Sequence, residues 1–177
     1  TVTCTPLGVD PITKIFTINV ATTDFLFVAT TGNDGPNTGT KASPFGTLTH
    51  ALETITSGNA KTVLCRDGTY NEDFTTPAAG GIAGATHTAV NSVLVASYPG
   101  ENAIFDGIDT YYGISYYGDY ITWENIEVKN CTGLESAGLV LYGNANAKIC
   151  YIHDCDWNDQ ANCAGIYHTN GSLIDSC

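Results

Sequence analysis

Methionine is absent from these 177 residues, and basic side chains are scarce, with six Lys and Arg against 18 Asp and Glu. The resulting formal charge of −12 repels a polyphosphate backbone, whose binding depends on Lys and Arg displacing counterions, so nucleic acid is not an expected partner. The same field opposes anionic polysaccharides unless a divalent cation bridges the carboxylates, which makes Ca2+ the cofactor implied by any such substrate. No run approaches the roughly 18 apolar residues of a membrane span. Also missing are a CxxC pair, a Gly-x-Ser-x-Gly elbow and a phosphate loop, so zinc-ribbon, serine-hydrolase and nucleotide-binding readings have no anchor. Charged residues make up only 14% of the chain, too few for a helical bundle.

What is abundant is Gly, Thr, Asn, Ser and apolar residues, the profile of many short strands and tight turns in one domain. Residues 1–24 read as an extended segment in which Phe16, Ile18 and Val20 alternate with Thr17 and Asn19 as a half-buried strand, preceded by Pro6 and Pro11. That strand either covers the first turn of the domain or is lent to a neighbouring molecule. From residue 25 an apolar run, FLFV, leaves into a loop dense in Gly, Asn, Asp and Pro. Leu48, Ala51, Leu52 and Ile55 then recur at spacings of three and four, predicting one short amphipathic helix over about 47–57, stopped by Gly58-Asn59.

Short strands follow with a regular beat. Segments opening at Gly113, Gly138 and Gly165 each close on an aliphatic-x-x-Cys signature, at Val128/Cys131, Ile152/Cys155 and Ile174/Cys177. Cysteine spacings of 24 and 22 and glycine spacings of 25 and 27 suit a solenoid with one coil per repeat. The expected fold is therefore all-β, a right-handed parallel β-helix over residues 25–177 with a short N-terminal capping helix. Val128, Ile152 and Ile174 are expected to stack in one interior column, and Cys131, Cys155 and Cys177 in another.

The stretch FVATTGNDGPNTGTKASPFGTLTHALETI followed by TVLCRDGTYNE resembles the N-terminal cap signature of extracellular right-handed parallel β-helix proteins, shared with calcium-dependent pectate lyases. The signature positions are Gly32, Asp34, Gly39, Thr40, Pro44, Phe45, Thr47, Gly68 and Tyr70, and Asn59-Ala60 replaces the usual Gly-Asp. The resemblance implies the fold and carries no catalytic residue, because the same cap heads lyases and large surface proteins alike.

Candidate chemistry is sparse. Asp154, Asp156 and Asp159 place three carboxylates in six residues, either a calcium loop or a polar corner. Lys129 and Lys148 are the only basic residues within the repeats, and His50, His87, His153 and His168 are scattered, with His153 and His168 able to face each other across neighbouring coils. Tyr111, Tyr112, Tyr116, Tyr117, Tyr120 and Tyr142 gather on the middle coils, either to stack on sugars or a partner or to pad the coils as an aromatic ladder. Asn130 and Asn170 open sequons, and Cys4, Cys65, Cys131, Cys150, Cys155, Cys163 and Cys177 are disulfide candidates, an odd number that leaves one thiol over. Together with the start TVTCTPLGVD, read as a processed terminus, the cysteines point to a secreted or surface location.

The functional expectation is an extracellular structural or assembly module of a filament, sheath or surface protein, open at its last coil and so needing self-association or further β-helix coils, with glycan as a second partner. The alternatives are a calcium-dependent polysaccharide lyase whose active coils lie at or beyond the C-terminus, and a sugar-binding module without turnover.

Overall fold

A computed structural model describes residues 2–4, 12–14, 25–55, 61–71, 82–83, 88–107, 112–117, 119–131, 137–155, 164–169 and 171–177. Phe16, Ile18 and Val20 lie outside them. Ahead of the main body, β1 (Val2–Cys4) and β2 (Ile12–Lys14) pair as an antiparallel hairpin that the sequence pattern did not reveal.

The described strands after residue 24 form a solenoid of three parallel sheets. The first holds β3 (Phe25–Val28), β4 (Lys61–Cys65), β7 (Val93–Ser97), β10 (Ile121–Glu124), β13 (Asn146–Lys148) and β16 (Leu173–Asp175), stacked in that order. The second holds β5 (Gly68–Tyr70), β8 (Ala103–Asp106), β11 (Glu127–Lys129) and β14 (Tyr151–His153). The third holds β6 (Ile82–Ala83), β9 (Tyr112–Tyr117), β12 (Ala137–Leu141) and β15 (Ala164–His168). One strand from each sheet makes a coil, so each strand inside a sheet pairs with its counterpart one coil earlier and one coil later. The fold is a right-handed parallel β-helix.

The core is a set of columns. Val63, Val95, Trp123, Ala147 and Ile174 lie in register on the first sheet, while Tyr70, Phe105, Val128 and Ile152 do so on the second. Stacking at about 4.8 Å puts like residues in contact, as with the rings of Tyr70 and Phe105, whose centroids are 5.2 Å apart. One expectation is corrected here: Val128 and Ile152 share a column, but Ile174 belongs to the first sheet above Ala147. The cysteines divide the same way, Cys131 with Cys155 and Cys150 with Cys177.

The corners explain that division. In the later coils strand ends turn on a single residue with positive φ, Asn125, Ile149 and Ser176 after the first sheet and Asn130 and Asp154 after the second, and the next side chains Ile126, Cys131 and Cys150 are buried. Both corners therefore read aliphatic-x-x-inward, and Ala147-x-x-Cys150 is a fourth copy of the motif. Two of the glycines that open the repeats serve close packing: a Cβ at Gly113 would clash with Val128 and lie 2.7 Å from Cys131 Sγ, and one at Gly138 would clash with Ile152, whereas one at Gly165 would only touch Ile152 at 3.8 Å.

The first coil is closed by α1 (Leu48–Glu53), which buries Leu48, Ala51 and Leu52 and falls within the predicted span. Residues 56–60 lie outside the description. Thr47 caps the helix, its hydroxyl accepting from His50 N at 3.2 Å. Asp34 ties the preceding loop to this cap: its Oδ1 accepts from Gly46 N at 2.7 Å and Thr47 N at 3.1 Å, and its Oδ2 from the Thr47 hydroxyl at 2.7 Å. Partial burial acts to raise the Asp34 carboxyl, but the hydrogen bonds from Thr47 and Gly46 outweigh it and hold the group below its ordinary value. Tyr70 completes the cap by donating from its hydroxyl to Arg66 O at 2.8 Å.

Candidate functional site

The outer face of the second sheet collects the most chemistry. In β11 the inward Val128 is flanked by the outward Glu127 and Lys129, and in β14 the inward Ile152 is flanked by Tyr151 and His153. Register sets Lys129 between Asp106 and His153. Glu127 reaches diagonally to the next coil, where its Oε1 lies 3.2 Å from His153 Nε2, and its Oε2 accepts from Asn102 Nδ2 at 2.8 Å on the coil before. His153 Nδ1 lies 2.8 Å from Asp154 Oδ2, and the Tyr151 ring stacks on the imidazole at 4.5 Å.

Electrostatics follow from that geometry. The hydrogen bond from Asn102, assisted by His153, holds the Glu127 carboxyl below its ordinary value against partial desolvation. The hydrogen bond to Glu127, assisted by Asp154, raises His153 and favours its imidazolium form. Both ring nitrogens are engaged, Nε2 by Glu127 and Nδ1 by Asp154, so the charged imidazole serves as a tie between neighbouring coils.

A second polar cluster sits at the first corner of the early coils. The Arg66 guanidinium meets Glu101 in a fork, with Nε and one terminal nitrogen each 2.7 Å from a carboxylate oxygen. The Tyr98 ring lies 4.9 Å from that guanidinium, and Lys41 Nζ donates to the Tyr98 hydroxyl at 2.8 Å. Thr30, Thr31, Lys41, Arg66, Asp67 and Glu101 line an open cleft of about 570 Å3 here.

Sequence-derived candidates distribute unevenly over these places. Tyr116 is fully buried with its ring edge-on to Trp123 at 5.9 Å, so it is a core residue and not a sugar or partner contact. Alternation along β9 turns it inward with Ile114. Tyr120 and Tyr142 are half-buried, Tyr120 at a corner with φ 56° and Tyr142 with its ring 6.2 Å from Tyr167. Tyr111 and the side chains of Tyr112 and Tyr117 lie outside the described residues.

Asp154 reaches its neighbour His153, Asp156 and Asp159 lie outside the description, and among the described residues no three His, Cys, Asp or Glu gather as metal ligands. Asn130 occupies a corner and donates to Asp106 Oδ2 at 2.9 Å, while Asn170 is not described. His153 and His168 belong to different sheets and do not face each other across neighbouring coils, His87 is not described, and His50 belongs to the cap helix. Lys148 lies in register between Glu124 and Asp175. Cys65, Cys131, Cys150, Cys155 and Cys177 are thiols; Cys163 and the Cys4 side chain lie outside the description.

Sequence reasoning passed over Asp106, Glu127, Asn102, Tyr98, Arg66 and Glu101. For Glu127 the signal was present in the triplets Glu-Val-Lys and Tyr-Ile-His, where polar or aromatic residues bracket one inward aliphatic.

Residues 30–77 match the family described as "Protein of unknown function (DUF1565)", and all nine cap-signature positions fall in that segment. The Uncharacterized protein YwoF of Bacillus subtilis (strain 168) is 36% identical over 84 residues, 48% of this chain and 16% of that protein. Among solved structures, a rhamnogalacturonan lyase superposes with a TM-score of 0.53 at 14% identity, covering 87% of this chain and 51% of the other. The pectate lyase Pel9A gives a TM-score of 0.55 at 16% identity, covering 89% of this chain and 48% of the other. The chain thus spans about half the length of these lyases and a smaller share of its curated relative. It has the right-handed parallel β-helix fold on which these lyases are built, headed by a cap segment similar to the DUF1565 family.

Proposed function

We propose that this chain is an extracellular structural β-helix module whose last coil is completed by stacking against further β-helix coils, and whose outer second-sheet face contacts glycan. The observation that carries this reading is the terminal rung: β14, β15 and β16 each pair on one side only among the described strands. Tyr151, Tyr167, Leu173 and Ile174 on this rung are 63%, 51%, 56% and 38% exposed. Backbone edges at strand pitch with apolar side chains beside them are a template for the strands of a second copy. Placement outside the cell rests on seven cysteines without a CxxC pair.

Light scattering after size exclusion tests the assembly. The 177-residue chain is expected to exceed monomer mass increasingly with concentration, and the double variant Leu173→Asp/Ile174→Asp to return it to monomer with an unchanged circular dichroism spectrum. A wild-type chain that stays monomeric and binds no hydrophobic dye sinks the reading.

A second reading, a polysaccharide lyase acting with Ca2+, is favoured by Lys129 standing between Asp106 and His153 on the outer face and by the lyases of similar fold. Chelator-sensitive release of unsaturated product from pectate or alginate would put it first.

A further inference from the structure

Cys131 and Cys155 occupy the same corner on successive coils. Each follows a residue with positive φ, Asn130 at 56° and Asp154 at 52°, which swings the sulfur into the solenoid. The two side chains are hydrogen-bonded to one another. Cys131 Sγ also lies 3.4 Å from Lys129 O and Cys155 Sγ 3.3 Å from His153 O, the same contact repeated one coil on. Cys131 is confined: a Cβ at Gly107 or Gly113 would lie 2.9 or 2.7 Å from its sulfur. Its exposure is 0%, whereas Cys155 is half-buried and reachable. Stacked coils set Cα atoms about 4.8 Å apart, inside the range of roughly 4.4–6.8 Å that a disulfide spans, so rotation of the side chains suffices to join them.

We propose that Cys131 and Cys155 form a redox couple that closes into a disulfide between coils, with Cys155 as the attacking thiol and Cys131 as the resolving one. The hydrogen bond from Cys131 lowers Cys155 to about 7, while the same bond, with burial, raises Cys131, which divides the two roles. With a small-molecule disulfide as oxidant, the Cys155 thiolate attacks one sulfur and expels the other as a thiolate. Cys131 then gives up its proton to solvent and displaces the second thiolate from Cys155. Two protein thiols lose two electrons and two protons, and the small disulfide becomes two thiols. Cys150 and Cys177 repeat the arrangement at the neighbouring corner, with Cys150 N donating to Cys177 Sγ at 3.3 Å. The proposal rests on coil stacking and is independent of the assembly reading.

The test uses the full chain held in oxidised and then reduced glutathione, quenched by alkylation and mapped by mass spectrometry after non-reducing digestion. A cross-linked peptide pair joining Cys131 to Cys155, lighter by two hydrogens and lost on reduction, is the expected result. Cys131→Ser should leave Cys155 as a mixed disulfide with glutathione, and alkylation of Cys155 in that variant's parent should follow a titration centred near 7. Recovery of both residues as free thiols from folded, oxidised protein, or of Cys155 joined elsewhere, overturns the proposal.

Discussion

Ile149 turns a corner with φ 52°, a region that a β-branched side chain enters only under strain, and it does so 59% exposed, without core burial to offset the cost. The equivalent corner one coil earlier uses Asn125, a residue type suited to that conformation. Ile149→Asn is therefore expected to stabilise the protein by about 1 kcal/mol, seen as a higher urea midpoint with an unchanged slope. Glu127 and His153 make a pH-dependent clasp between coils. His153 is raised, so its contribution is full below the ordinary imidazole value and is lost as pH rises through its folded value. Glu127 is lowered, so its share is present above the ordinary carboxylate value and is lost as pH falls through its folded value. The clasp is strongest at about pH 5–6. Urea midpoints should fall between pH 5.5 and pH 8 in the wild type, and Glu127→Gln should remove much of that fall. Neither feature was legible in the sequence, because a corner φ and a diagonal contact between coils depend on register.

Elements were read more faithfully than residues, and the cap shows why. Its signature positions are consumed by local geometry: Gly32 where a Cβ would strike the Phe45 backbone, Thr47 at the helix start, Asp34 clamping both Gly46 and Thr47. Because those needs are met within a few dozen residues, the motif exposes them directly. Asp34→Ala, which strips three hydrogen bonds from a charged acceptor, is expected to cost about 2 kcal/mol. Unfolding in urea measures it, with Asp34→Asn retaining part of the loss. Phase between coils was less legible: Ile174-x-x-Cys177 looks like Ile152-x-x-Cys155, yet the two fall at different corners, since both use the same strand, kink and inward residue. Likewise Tyr116 joined a surface cluster on paper because six aromatic residues close in sequence say nothing of facing until the alternation of β9 is fixed.

For the whole molecule, the glycine and cysteine beat sufficed to predict a solenoid, because one rule repeated on every coil leaves a period in the chain. The outer-face chemistry left no such trace, since Asn102, Glu127 and His153 sit on three different coils and converge only once these are stacked. Parallel stacking also dictates how the body would come apart under load. Among the described strands β16 is held laterally by β13 alone, β13 in turn by β10 on its far side, and so on inward. Tension applied at Cys177 would strip the structure as thread leaves a spool, one wind per rupture, each freeing roughly 80–90 Å of slack at the extended length of a residue. A covalent stitch between Cys131 and Cys155 would pass the load straight across and keep the residues between them out of the released slack, so reductant would set how much length that wind yields.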